Sequence, residues 1–320
     1  MMNLIKPNLC IIIVNWNSQA QLYKCLLSIK SADKTNLSLK NIIVVDNNSR
    51  DKSLEKIDEL ALNIKLIKNK KNVGFAKACN QAVQYSKAEY LLFLNPDVIL
   101  ENNSLTVPIE FMENEKNKKI GIVGVKLFDE SGKVSRNCAR FPNSSRFIEM
   151  ALNLHKFFPQ KIKGHFMLEW EHDEDRLVDQ VMGAFLLIRA EIFKQLNGFD
   201  ERFFLYFEDV DLSYRANLSG YKSMYISKAK VFHKAGGTSD QVKGKRLFYV
   251  LQSRILYYFK YFSFFVSIVN LISIITIEFF TRIIFLSIKS GFKGFIEVLK
   301  GYTLFYLNLN DTIRRMRKHE

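Results

Sequence analysis

The chain has 320 residues, a formal net charge of +15 and 48% hydrophobic residues. That length and apolar content exclude a disordered or collagen-like chain and supply one large domain, or a domain with an appendage. The four cysteines (Cys10, Cys25, Cys79, Cys138) form no CxxC pair, which excludes a disulfide scaffold and predicts buried free thiols in a reducing compartment.

The first apolar run, Cys10–Val14, is short and stops at Asn15-Trp16-Asn17. It reads as a strand rather than a signal peptide, so a cytoplasmic location is expected. Leu22, Leu26 and Ile29 then mark one face of a helix, with Ser18 as its candidate N-cap. Ile42–Val45 is the next strand. Leu54, Ile57 and Ala61 mark a second helix, Ile64–Lys68 a third strand, and Phe75, Ala78, Ala82 and Tyr85 a third helix. Tyr90–Leu94 and Ile120–Val125 follow as strands. None of these strands alternates with polar residues, as expected of parallel strands covered on both faces. Strand–helix repetition predicts an α/β fold with right-handed crossovers.

The early strands share a second property: each ends in polar residues. The ends are Asn15-Trp16-Asn17, Asp46-Asn47-Asn48-Ser49, Asn69 and Asn95-Pro96-Asp97. Open α/β sheets bind ligands beyond the carboxyl ends of their strands, so this edge is the predicted site. Asp97 is the most informative member. It interrupts the apolar segment YLLFLNPDVIL, and Pro96 fixes the backbone before it. A carboxylate between two apolar runs needs a compensating charge or hydrogen bonds, which suits metal or phosphate handling; an ordinary loop aspartate is the alternative. The glycine patterns of dinucleotide folds and of P-loops are missing, so neither a hydride-transfer cofactor nor a P-loop nucleotide is indicated.

The stretch Asn143–Asp179 reads as irregular, and its acidic run Glu169–Asp175 as a solvated loop without chemistry. Gly183–Arg189 resumes an apolar strand, and Glu191–Leu196 a short helix ended by Asn197-Gly198. Phe203–Leu212 (FFLYFEDVDL) again sets acids in an aromatic run. Helical spacing puts Glu208, Asp211 and Arg215 near one face, so Arg215 has a neighbour to pair with.

The last 80 residues differ in kind. Residues 241–320 carry 13 Lys/Arg against four Asp/Glu, and Tyr261–Ile277 is uncharged. Gln252, Ser263, Ser267, Asn270, Glu278 and Thr281 project onto one arc at helical spacing. The stripe predicts a helix lying in a membrane interface or packed in a bundle, rather than a simple span. Arg254, Lys260, Arg282 and the Arg314–Lys318 cluster are then available to lipid phosphates; a soluble helical extension or a dimer interface is the alternative. Nucleic acid is not expected, because no reading motif accompanies the charge.

Six segments taken in order carry a resemblance: IIIVNWNS, VVDNNSRDKS, NVGFAKACNQA, YLLFLNPDV, GAFLLIRAEIFKQLNGFDERFFLYFEDVDLSYRA and VFHKAGG. Over roughly residues 8–240 the chain resembles the family 2 glycosyltransferases of GT-A fold, closest to rhamnosyltransferase-like members. The resemblance implies a Rossmann-like, mainly parallel sheet flanked by helices, with residues 1–240 catalytic; the composition of residues 241–320 predicts a helical, membrane-associating extension. It implies an inverting enzyme that moves a sugar from a nucleoside-diphosphate donor to a saccharide or lipid-linked acceptor, with rhamnose the first donor sugar to test.

The resemblance also implies roles. Asn15, Asn17, Asp46, Asn48, Asn72, Gly74, Phe75, Asn80, Asn95, Gly183 and Ala184 would bind the donor. Asp46 would meet the base or ribose; capping a helix near Ser49 is its alternative. Asp97 takes the last position of the family's DxD motif and would hold a divalent cation, Mn2+ or Mg2+, with His233 as a further ligand. A core or loop histidine is the alternative for His233. The chain departs from the motif at Asn95, where a carboxylate is replaced by a neutral amide. Asp209 would be the catalytic base, with Glu208 as the second choice. A nucleotidyltransferase and a non-catalytic binding protein with a degenerate site are the competing readings. The first lacks its basic glycine-rich loop, and the second is opposed by Asp46, Asp97, Asp209 and His233 together. Homo-oligomerisation stays open.

Overall fold

The computed structural model describes residues 6–144, 146, 152, 164–234 and 242–316. They gather into two compact units that interleave in sequence. One comprises Met1–Ala139, Trp170–Asp200 and Asp209–Thr238; the other comprises Arg140–Glu169, Glu201–Glu208 and Ser239–Glu320. The units do not divide at the expected residue 240: the described residues among 140–169, and residues 201–208, group with the helical tail.

The first unit is built on strands β1 (Asn8–Asn15), β2 (Ser38–Asp46), β3 (Ile64–Lys68), β4 (Tyr90–Leu94), β5 (Val98–Leu100), β6 (Ile120–Phe128), β7 (Val134–Ser135), β8 (Cys138–Ala139), β9 (Arg176–Val178), β10 (Gln180–Val181), β11 (Phe185–Arg189) and β12 (Lys222–His233). The main sheet runs β3-β2-β1-β4-β11-β6-β12-β5. Its first four strands are parallel, as expected. From β11 onward it is mixed: β11 is antiparallel to β4 and β6, and β12 is parallel to β6 but antiparallel to β5.

Helices α1 (Gln21–Ser31), α2 (Phe75–Val83), α3 (Thr106–Glu113), α4 (Ala190–Gln195) and α5 (Glu208–Leu218) accompany the strands. Residues along each strand alternate between the two faces. Leu9, Ile11, Ile13, Leu92 and Leu94 join Leu22, Leu26 and Ile29 of α1 and Ile109 and Met112 of α3 in one core cluster. Phe93, on the other face, meets Phe193 of α4 and Phe199 at 5.1 and 4.8 Å between ring centroids. Both faces are covered, which is why the strands lack polar alternation. All four cysteines are buried free thiols.

Three local expectations are corrected. Ser18 does not cap α1: the helix starts two residues later, and the Ser18 hydroxyl donates to Asn15 Oδ1 instead. The helix expected over Leu54–Ala61 is a single 3-10 turn, Ile57–Leu60, bounded by left-handed Lys56 and Ala61, which no α-helix accommodates. The acidic run is not wholly solvated. Trp170 and His172 are buried and stacked at 4.1 Å, and Asp175 accepts bonds from Ser227 N–H (2.7 Å) and hydroxyl (2.8 Å).

The second unit contains α6 (Lys243–Tyr261), α7 (Phe264–Ser273), a π-helical turn at Ile274–Glu278, α8 (Phe279–Leu307) and α9 (Leu309–Met316). The chain breaks at Phe262, and Ser263 caps α7. α8 folds back on itself at Gly291, whose φ of 58° a residue with a side chain rarely adopts. The rings of Phe279 and Tyr302 lie 4.9 Å apart, and the Tyr302 hydroxyl donates to Ile274 O at 3.0 Å. A straight helix would separate Phe279 and Tyr302 by about 35 Å, so α8 is a helical hairpin. Its return arm packs closely on α6: a Cβ at Gly301 would lie 2.7 Å from Leu247.

The same unit holds Phe203–Phe207. Phe204 stacks on Tyr249 at 4.7 Å, and the Ser253 hydroxyl donates to Leu205 O at 2.9 Å. Arg254 corrects the sequence reading. Its side chain is 2% exposed and pairs with Glu278, which also accepts from Arg282 at 2.7 Å. It is therefore withheld from lipid phosphates, whereas Ser267, Asn270 and Glu278 of the expected polar stripe are buried in the bundle. Of the Arg314–Lys318 cluster, residues 317 and 318 lie outside the described residues.

Candidate active site

Sheet register alone brings the polar strand ends together. Asn15 at the end of β1 lies beside Asp46 at the end of β2, and Ile13 beside Leu94, the last residue of β4. Because β11 runs antiparallel to β4, the residues that precede it enter at the same edge, and Asn95 N–H donates to Ala184 O at 3.0 Å. Gly183 N–H then donates to Asp209 Oδ2 at 2.9 Å. On the other side, β12 pairs with β5 so that His233 lies opposite Val98, and His233 Nε2 comes 3.4 Å from Asp97 Oδ1. An unbroken series of short contacts thus links Asp209 to the loop bearing Asp97, although the two residues are far apart in sequence.

Asp209 sits in the first turn of α5. Its Oδ1 accepts from Val210 N–H at 2.8 Å, so both carboxylate oxygens are fixed by backbone donors. Burial pushes its pKa above the ordinary carboxylate range, and the bonds from Gly183, Val210 and the Gln180 side chain pull it part of the way back. The residue is half-buried, whereas the preceding Glu208 is only 5% exposed. Of the two carboxylates of the ED pair, Asp209 is the one with access from outside. Asp211 is fully buried and accepts from Arg215 Nε at 2.7 Å, the pairing that helical spacing predicts.

The asparagines divide by role. Asn15 is fully buried, and its amide donates to Asp46 Oδ1 (2.8 Å), Ser49 Oγ (3.1 Å) and Ser53 Oγ (2.8 Å). It orients Asp46 and has no surface to offer a donor, which corrects the expectation of direct contact. Asp46 Oδ2 also accepts from Ser49 N–H at 3.1 Å, but in a turn: no helix starts near Ser49 for it to cap. Each oxygen keeps a further lone pair for a ligand. Asn17 accepts from Arg50 N–H at 2.8 Å with its backbone at φ 49°, and Asn48 is exposed at φ 63°.

Asn72 accepts from Gly74 N–H at 2.9 Å, and Gly74, with φ 91°, opens α2 next to a half-buried Phe75. The Asn80 amide grips the backbone of Phe199, donating to its O at 2.8 Å and accepting from its N–H at 3.0 Å. It holds the turn before the ED pair rather than facing outward. Asn47, which sequence reasoning passed over, is 2% exposed and donates to Gly74 O at 3.2 Å, tying β2 to the start of α2. Its place in the run of polar residues after β2 was the available signal.

Asp97 and His233 are a matched pair for a borderline cation: one hard oxygen and one imidazole nitrogen, both partly buried. Among the described residues no group of three or more His, Cys, Asp and Glu is poised for a metal. Two protein ligands fit a cation that takes its remaining oxygens from a diphosphate and water.

The sequence and the fold are each similar to those of known proteins. Residues 10–165 match the family described as Glycosyl transferase family 2. Rhamnosyltransferase WbbL of Escherichia coli (strain K12) is 30% identical over 196 residues, which cover 58% of this chain and 69% of that protein. N-acetylglucosaminyl-diphospho-decaprenol L-rhamnosyltransferase of Mycobacterium tuberculosis is 26% identical over 235 residues, 70% of this chain and 75% of that protein. Among solved structures, mannosyltransferase PcManGT from Pyrobaculum calidifontis, in complex with GDP-Man and Mn2+, superposes with a TM-score of 0.54 at 12% identity, over 98% of this chain and 86% of that one. The chain belongs to the family 2 glycosyltransferases, and its fold is GT-A.

Proposed function

We propose that this glycosyltransferase moves a rhamnosyl or similar hexosyl group, with inversion, from a nucleoside-diphosphate sugar to a saccharide or lipid-linked acceptor in cell-surface polysaccharide synthesis, at the cytoplasmic face of the membrane. The observation that carries this reading is the Asp209 carboxylate, fixed through Gly183 to the sheet edge where Asp97 meets His233. Asp209 takes the proton of the acceptor hydroxyl as its oxygen attacks the anomeric carbon. The bond from that carbon to the diphosphate oxygen breaks, and the electron pair leaves with the nucleoside diphosphate. Asp97 and His233 would hold Mn2+ or Mg2+, which supplies charge neutralisation for the leaving diphosphate. The raised pKa of Asp209 makes it a stronger base once ionised. Asp46, held by Asn15, accepts from the base or ribose; Gly74 and Phe75 line the nucleotide, and Gly183 and Ala184 leave room for the sugar.

The rhamnosyl reading is supported by the two rhamnosyltransferase relatives. It is tested by thermal shift with deoxythymidine-diphosphate-rhamnose, UDP-N-acetylglucosamine and GDP-mannose, each with and without Mn2+. Stabilisation by the rhamnose donor, increased by Mn2+ and lost in Asp97→Ala, is expected. Stabilisation by another donor alone reassigns the sugar, and a response of Asp97→Ala equal to the parent's removes the metal role. The anomeric configuration of the product, read by NMR coupling constants, tests inversion separately.

A further inference from the structure

The rod running from α7 through the π-helical turn into the first arm of α8 is inside out. Its inward face carries Ser267, Asn270, Ile274 and Glu278, all buried. Its outward face carries Phe265, Val269, Ile272, Phe280, Ile284 and Ile288, all exposed, at 76%, 44%, 51%, 63%, 60% and 81% respectively. Steps of three, four and eight residues keep the outward set on one stripe. A soluble helix has the reverse arrangement, because water leaves apolar side chains and keeps polar ones. An exposed apolar stripe of this length marks a contact surface.

Three features identify what covers it. First, Phe264–Leu307 is long and apolar enough for a bilayer by composition, with a mean hydropathy of 2.0 over its best window. Second, cations border the stripe. The hairpin tip is exposed throughout residues 288–293, where Ile288 and Phe292 alternate with Lys289 and Lys293. Basic residues that frame apolar ones match an anionic headgroup layer. Third, the hairpin cannot be surrounded by hydrocarbon. Its return arm lies alongside Phe279, so exposed Lys300 sits level with the apolar stripe, next to Glu297 at 3.2 Å. One side is wet at the depth where the other is apolar. The arm from Phe279 to Ile288 is also only about 15 Å long, half the hydrocarbon thickness.

We infer that this rod and hairpin tip form a monotopic wedge that lies in the plane of an anionic lipid bilayer, with the tip lysines among headgroups and the apolar stripe among acyl chains. The inference deepens the acceptor side of the proposed function, since a lipid-linked acceptor is met at such a surface.

The test is flotation of the full-length protein with vesicles of phosphatidylcholine, alone or mixed with phosphatidylglycerol, followed by an alkaline carbonate wash. The parent is expected to float with the mixed vesicles and to be released by carbonate. Lys289→Gln with Lys293→Gln should lower binding to the mixed vesicles by on the order of tenfold or more, with little change on phosphatidylcholine. Ile288→Ser with Phe292→Ser should abolish flotation while leaving the thermal midpoint unchanged, since both side chains face outward. Flotation unaffected by either pair overturns the inference, as does carbonate-resistant binding, which would signal a span. A lipid-free dimer that the Ile288→Ser/Phe292→Ser variant converts to monomer would assign the stripe to a second copy of the chain and overturn it too. Donor binding by the full-length protein without vesicles is measured in parallel by thermal shift: no response to any of the nucleoside-diphosphate sugars, with or without Mn2+, defeats the proposed function and leaves the membrane result standing.

Discussion

Arg215 and Asn80 converge on one short turn, and its geometry explains both residues. Arg215 donates to Asp211, to Leu196 O at 2.5 Å and to Gly198 O at 2.8 Å, while Asn80 clamps Phe199. The turn contains left-handed Asn197 and Gly198, and it links α4 to the segment leading toward Asp209. Asn80→Ala leaves a backbone donor and an acceptor at Phe199 without these partners, and should destabilise the protein by about 1–3 kcal/mol in urea denaturation. Asp209 itself should make stability depend on pH. Its folded-state pKa lies above the unfolded value of 3.8, so the native state binds the proton more tightly and loses stability as pH rises through that window. Asp209→Asn removes this loss, and its stability advantage over the parent should grow with pH until Asp209 is fully ionised.

At the scale of elements, the strands were the most legible part of the chain. Ile64–Lys68 and Tyr90–Leu94 coincide with β3 and β4 because a short apolar run bounded by polar residues has few other ways to be buried. The polar edge of the sheet was legible for the same reason: the run stops where the sheet stops. Other elements depended on information that local patterns lack. Leu54, Ile57 and Ala61 had helical spacing, but left-handed backbone on both sides confined the helix to one turn. The polar stripe was projected along one continuous helix, whereas the chain breaks at Phe262 and folds back at Gly291. Arg254, which the continuous-helix projection leaves open to lipid, is instead buried against Glu278. The pairing carries its own prediction. Glu278→Gln leaves the Arg254 charge buried without its carboxylate, and should cost about 3–5 kcal/mol in thermal or denaturant unfolding. Loss of under 1 kcal/mol would mean that water reaches Arg254.

At the scale of the molecule, the two units share the chain in alternating segments, and the cut at residue 240 suggested by composition does not separate them. Phe204 and Leu205 rest on Tyr249 and Ser253 of α6. Removing residues 246–320 should therefore yield an aggregated protein rather than a soluble catalytic domain, as read by size-exclusion chromatography. A monodisperse, donor-binding truncation would show that residues 201–208 hold their fold unaided. His165 adds an acid sensitivity in the second unit. Burial pushes its pKa down to about 4 from 6.5, and its Nδ1 lies 2.7 Å from Arg140 O. The unfolded chain takes up this proton first, so stability should fall as pH drops from about 6.5 to 4, and His165→Gln should flatten that slope.

The direct test of the base-and-diphosphate arrangement is single-turnover transfer by Asp209→Asn, with donor affinity measured by calorimetry on the same preparation. An intact donor site and a rate lowered by about 10^2- to 10^4-fold are predicted, the range that removal of a general base produces. Transfer at the parent rate, or loss of donor binding in a folded variant, would contradict the assignment of Asp209 as the group that deprotonates the acceptor.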